Sequence, residues 1–242
     1  MQQMSLYIRR RKFELLLLSF MLLIFGNTFT YQNHMVGIVD IYQNMVTGAL
    51  VFYRRRNLRI VFMTLIGVSL VLTIFESRLA FIDHRSWQGI IYLVFFFLVA
   101  IEVFKVVLYS KRVSRELLSA SLCGFVVLGL IGTFLFYQID VELPHSFSNT
   151  GEGPAILGNL NYFSFTTLLT IGYGDITPVT LVAKRAVMLM GLTGHFYTVF
   201  ITSIIVGKYL SFRKRDDMTP QNHYAQKPGA PGRRVLQGQE EQ

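Results

Sequence analysis

Six apolar runs constrain this chain more than any other feature, at about residues 13–29, 35–53, 58–76, 87–109, 117–138 and 183–209. At about 1.5 Å per helical residue, the last four are each long enough for a hydrocarbon core of about 30 Å. Hydrophobic residues make up 52% of the 242, with 21 Phe, and mean hydropathy is positive. That is too apolar for an ordinary soluble domain, so an all-α membrane protein is expected. Arg9, Arg10, Arg11 and Lys12 precede the first run, as in a secretory signal peptide, but no Ala-x-Ala cleavage site follows. The run reads as a retained span. Asp40, Gln43 and Asn44 interrupt the second run, Met35 to Tyr53, which reads as a span or as a surface helix.

Charge parity favours the span. With six spans, Arg9–Lys12, then Arg54, Arg55, Arg56 and Arg59, then Lys111, Arg112 and Arg115, then Lys208, Arg213, Lys214 and Arg215 fall on one side. Arg78, Arg85, Lys184 and Arg185 fall on the other. The excess of Lys and Arg marks the first side as cytoplasmic, with both termini there, in a multi-pass protein of the cell membrane. The formal net charge of +9 therefore sits at headgroup level, which argues against nucleic acid as a partner. The single cysteine, Cys123, lies inside an apolar run and offers neither a disulfide framework nor a cysteine metal site.

Between the fifth and sixth spans, Ile139 to Gly158 contains Pro144, Pro154, Gly, Ser and Asn and reads as an external loop. Its charges are Asp140, Glu142 and Glu152. They either concentrate cations near a pore mouth or are merely solvated. Leu160 to Leu169 is too short to span and fits a half-helix ending near the midplane, its negative dipole end favouring a cation beyond it. Thr170, Ile171, Gly172, Tyr173, Gly174 and Asp175 follow. Glycines on both sides of a tyrosine let the backbone run extended with its carbonyl oxygens to one side. Four such stretches around an axis would form stacked oxygen rings able to replace the hydration shell of an ion.

Residues 117–210 resemble the pore module of tetrameric potassium channels, and the whole length resembles a bacterial six-span member. Tyr162-Phe163-Ser164, Thr166-Thr167 and Pro178 flank a motif that fills every position of the family's filter. The resemblance implies a voltage-gated-like architecture: six transmembrane helices, a re-entrant pore half-helix and a selectivity filter. It implies K⁺ coordination by the carbonyls of Thr170, Ile171, Gly172 and Tyr173 and the hydroxyl of Thr170, with Gly174 completing the filter and Asp175 at the outer mouth. Tyr162 and Phe163 match positions that brace the filter. Thr166 stands where some relatives carry a buried acid paired with the aspartate after the filter, which would leave Asp175 without that partner. Gly194 matches a gating hinge, with Gly191 beside it. Close helix packing is the other reading of these glycines. Thr198 and Thr202 share a helical face expected to line the cavity. His195 reads as a packed side chain or as a group that titrates near neutral pH.

The fourth span, Trp87 to Tyr109, carries only Glu102 and Lys105, which lie at i and i+3 and are expected to neutralise each other. A strong voltage sensor needs several arginines there. The expected organisation is a cytoplasmic N-terminus at 1–12, a four-helix peripheral, sensor-like domain at 13–110, a pore domain at 117–210 with its filter at 170–175, and a flexible cytoplasmic tail at 211–242. No regulatory domain is expected in that tail, and no cofactor other than permeant K⁺. The expected function is passive, potassium-selective conduction by a homotetramer in a lipid bilayer, without enzymatic chemistry. An unidentified regulator is a further expected partner. A weakly selective cation channel and a non-conducting subunit that modulates a partner are the alternatives.

Overall fold

The computed structural model describes residues 2–25, 34–52, 56–74, 84–110, 114–153 and 155–217. Phe29, Tyr53, Arg54, Arg55, Glu76, Arg78, Lys111, Arg112, Pro154 and the segment from Met218 to Gln242 lie outside the described residues, as do the side chains of Arg9, Arg10, Asp40, Arg85, Arg213, Lys214 and Arg215.

Seven helices make up the described chain: α1 (Gln2–Phe25), α2 (His34–Val51), α3 (Arg56–Ile74), α4 (His84–Tyr109), α5 (Arg115–Glu142), α6 (Ala155–Leu168) and α7 (Leu181–Asp217). Four contain stretches long and apolar enough to cross a membrane: Arg56–Ile74, Ser86–Tyr109, Arg115–Glu142 and Leu181–Leu210. α1 breaks its helical geometry at Arg11, where φ is −118° and ψ 18°, just before the apolar run begins. Two boundaries differ from the sequence reading. The loop expected over 139–158 is helical at both ends, since α5 runs to Glu142 and α6 starts at Ala155. α7 continues to Asp217, through residues expected to begin the tail, because no Gly or Pro stands between Leu210 and Pro220.

α5 is the centre of the fold. It starts where the Ser114 hydroxyl accepts the Leu117 N–H at 3.2 Å, and Glu116 in its first turn suits the positive end of the helix dipole. Glu116 also pairs with Lys12 at 2.8 Å, tying α1 to the start of α5. Farther along, the Cys123 thiol donates to the Phe13 carbonyl at 3.0 Å. α4 packs lengthwise on α5, with only residues 110–114 between them in sequence. α1 and α4 therefore rest on α5, while α2 and α3 pack outside them.

Aromatic rings fill this interface. Phe20 contacts Phe96, Phe96 stacks on Phe134, Tyr92 meets Phe134, and Phe62 meets Phe95 edge-on at 5.2 Å. Lipid tails are as apolar as these rings, so the gain comes from close packing more than from leaving water. Each such pair contributes about 0.5–1.5 kcal/mol.

Polar contacts join the peripheral helices. Asn44, which weakens the apolar pattern of α2, is buried and accepts the Ser19 hydroxyl at 2.8 Å. Tyr42 reaches Ser69 at 3.0 Å and Thr73 at 2.9 Å, and Gln88 donates to Thr73 at 2.9 Å. Asn44 thus connects α2 to α1, and Tyr42 connects it to α3.

α6 lies against α5 where small residues let it approach. A Cβ on Gly129 would collide with the ring of Phe165, and the Ser164 hydroxyl donates to the Gly129 carbonyl at 2.7 Å. Gly67 in α3 has nothing within 4 Å of a built Cβ. Gly129→Val is expected to lower the melting temperature of the detergent-solubilised protein through overpacking of about 1–3 kcal/mol. Gly67→Ala should leave it unchanged or raise it, by about 0.5–1 kcal/mol of helix preference. Circular dichroism melts of the two variants check both.

Candidate functional site

α6 has 14 residues, about 21 Å of helix, too short to cross a bilayer. Its C-terminal turn closes on three backbone bonds: Leu169 N–H to Phe165 O at 2.9 Å, Thr170 N–H to Thr167 O at 3.0 Å and Ile171 N–H to Thr166 O at 2.9 Å. The chain then leaves helical geometry through Thr170, Gly172 and Gly174, whose φ values are 58°, 59° and 81°. Ile171 and Tyr173 between them keep negative φ. Alternating handedness turns successive carbonyls of an extended stretch toward one side, where a β-strand would alternate them. Glycine takes two of the three left-handed positions without a Cβ penalty, while Thr170 bears it. All five residues are exposed in the single chain, Ile171 by 47% and Tyr173 by 70%.

One side chain supports this strand directly. The Tyr162 ring lies parallel to Tyr173, 6.4 Å between centroids and 4° between planes, and its hydroxyl donates to Asp175 Oδ2 at 2.8 Å. Asp175 Oδ1 accepts the Ile176 N–H at 3.0 Å. Asp175 thus bonds to Tyr162 and not to Thr166. Thr166 is buried, and its hydroxyl donates back to Phe163 O at 3.1 Å, away from Asp175. Phe163 acts one layer behind, in a cluster with Phe136 at 5.5 Å and Phe147 at 5.8 Å.

Residues that the sequence did not single out hold the segment after Gly174. Asn149 donates to the Asp175 carbonyl at 2.8 Å. The Ser148 N–H donates to Thr177 O at 2.9 Å, and the Thr177 N–H returns a bond to the Ser148 hydroxyl at 3.0 Å. Ser146 O accepts the Val179 N–H at 2.8 Å. The only sequence signal was polar residues in a loop, which does not say which strand they meet. Two of the loop's acids are engaged as well: Asp140 accepts the Ser146 N–H at 3.1 Å, and Glu142 accepts from Ser86 and from Gln138. Glu152 is exposed.

Behind the strand, α7 passes the end of α6 at Gly194. A Cβ there would come within 2.9 Å of the Leu168 carbonyl oxygen, so close packing requires this glycine; at Gly191 the nearest atom lies 4.0 Å away. Thr198 donates to Gly194 O at 3.0 Å and Thr202 to Thr198 O at 2.8 Å, both on an exposed stretch of α7. Such back-bonding competes with the helix's own ladder and favours bending. His195 is exposed beside Phe196. In α4, Glu102 is buried and pairs with Lys105 at 2.8 Å, as expected from their spacing.

A comparison with family models bears on this stretch. Residues 122–210 match a family model described as an ion channel. No curated protein matches the chain, and no solved structure does. The match covers α6, the strand and most of α5 and α7, and together with the apolar helices it supports a membrane protein and a passive ion channel.

The hydrogen bond from Tyr162 holds the Asp175 carboxyl below its ordinary pKa, against the opposing effect of desolvation, and the Ile176 N–H acts in the same direction as Tyr162. The contact's contribution is therefore fully present above the ordinary carboxylate pKa and is lost as pH falls through the lowered one. Tyr162→Phe should shift the titration of Asp175 to higher pH. Carboxyl ¹³C NMR, with the Asp175 signal assigned from Asp175→Asn, measures the change.

Proposed function

We propose that this chain is a subunit of a potassium-selective channel in which four copies surround one axis. The observation that carries the reading is the alternation of backbone handedness over Thr170–Gly174 at the end of a half-length helix, within the residues that match the ion channel family. Four copies would present the carbonyls of Thr170, Ile171, Gly172 and Tyr173 as rings that substitute for the water around K⁺, with Asp175 at the outer mouth. Ions would displace one another in file, without a covalent step.

Exposure in the single chain supports assembly. Non-helical backbone at membrane depth is tolerated only where protein surrounds it or water lines it, and one copy leaves this strand open. Of α5's apolar window 72% is buried within the chain, against 17% for α7. Leu192, Phe196, Val199 and Phe200 on α7 are exposed and available to neighbouring copies. Thr198 and Thr202 then line the cavity below the filter, where the α6 dipole favours a cation. Gly194, with Thr198 bonded to its carbonyl, is the point of least resistance to bending.

In this reading α1 to α4 form a peripheral, sensor-like unit beside the pore segment of their own chain, within a six-span subunit whose termini face the cytoplasm of the cell membrane. α4 lacks the arginines of a strong voltage sensor.

Gly172→Ala and Gly174→Ala place a Cβ in left-handed geometry, costing about 1–2 kcal/mol in each of four copies. Reconstituted in liposomes, wild type should take up ⁸⁶Rb⁺ in preference to ²²Na⁺, at a mass in detergent corresponding to four chains. Both variants should lose that preference while remaining tetrameric. Retained selectivity in the variants, or equal Rb⁺ and Na⁺ uptake by wild type, would count against the filter.

A further inference from the structure

The inner part of α7 touches α4 at two levels. At the first, the Tyr197 ring meets the Phe104 ring edge-on, 5.4 Å between centroids and at 90°, while its hydroxyl donates to Ser121 O of α5 at 2.5 Å. At the second, the Lys208 ammonium donates to the Val107 carbonyl at 2.7 Å and lies 3.5 Å from the Leu108 carbonyl. Both carbonyls belong to the last turn of α4, which ends at Tyr109. The last four carbonyls of a helix have no partner within it and carry the negative end of its dipole. A cationic side chain placed there satisfies an orphan acceptor and the dipole together. Lys208 is half-buried, and its contact spans about a hundred residues of sequence.

From this geometry, and resting on the channel reading above, we infer that Lys208 is a latch: its ammonium, clamped on the C-terminal carbonyls of α4, holds α7 straight and so holds the inner end of the pore shut. α7 runs as one helix from Leu181 to Asp217, through Gly194. Lys208 stands 14 residues beyond Gly194, about 21 Å along the axis. A bend of about 10° at Gly194 would carry it about 4 Å sideways. That exceeds the tolerance of a hydrogen bond, so a bend at Gly194 releases the carbonyls unless α4 follows or the four-carbon stem of Lys208 re-extends against its packed position. The Phe104–Tyr197 contact is only three residues past Gly194 and moves little in the same bend. Lys208 is thus the contact that distinguishes straight from bent, and the position of α4 sets how readily it lets go. α4 takes part in gating through this clamp, although it carries no row of arginines.

The test compares wild type with Lys208→Met, which removes both charge and donor but keeps an unbranched helix-forming side chain, and with Lys208→Arg, which keeps both. Spin labels at Tyr109 and Tyr209, each exposed, report the separation of the two helix ends in a Cys123→Ser background. Planar-bilayer recordings in symmetric K⁺ report open probability and unitary conductance. In Lys208→Met the label separation should lengthen and broaden, and open probability should rise at least about fivefold with unitary conductance unchanged. Lys208→Arg should match wild type in both. An unchanged separation, or a changed separation without a change in open probability, would overturn the latch and leave the channel reading standing. Absence of unitary currents from all three proteins would overturn the channel reading, and the latch with it.

Discussion

A peptide carbonyl in hydrocarbon must find a donor or a cation, because leaving it bare costs several kcal/mol. Within a helix, all but the last four carbonyls meet that demand internally. The stretch from Thr170 to Gly174 does not, since its left-handed residues turn the oxygens away from any ladder. The surrounding structure is best understood as what makes such a strand possible.

Support comes from three directions. α6 delivers the strand at the depth where the helix stops, and its last turn takes up the N–H groups of Leu169, Thr170 and Ile171. Tyr162 holds the end next to Asp175 by ring stacking and by a bond to that carboxylate. The loop before α6 pairs with the segment after the strand through Ser146, Ser148 and Asn149. Thr170 accepts a backbone conformation that costs a residue with a Cβ, and such strain persists only where the neighbourhood over-determines it. Behind this shell, Phe136, Phe147 and Phe163 make a rigid backing, because packed aromatic rings have few alternative arrangements.

The peripheral helices follow a different logic. α4 and α1 lie along α5 of the same chain, joined by rings and by the Lys12–Glu116 pair, while Ser19–Asn44 ties α2 to α1. A charge buried in a membrane span is expensive unless paired, and Glu102 beside Lys105 meets that condition within a single turn. Among the described residues, α7 meets α4 at Phe104–Tyr197 and at Lys208.

The amino-acid sequence by itself determined the apolar runs, the short helix before the glycine motif and the pairing of Glu102 with Lys105, because each depends on residues within a few turns of one another. Periodicity and φ preference are local properties, and local properties can be read in order along a chain. What only the tertiary structure decided involves partners far apart in sequence: that Asp175 meets Tyr162 while Thr166 turns back to its own helix, that Ser148 and Thr177 exchange bonds, that Asn44 is buried against Ser19, and that Lys208 reaches the end of α4. A polar side chain in a list of residues has no direction. It acquires one when packed helices bring a particular acceptor within about 3 Å and leave it no cheaper alternative.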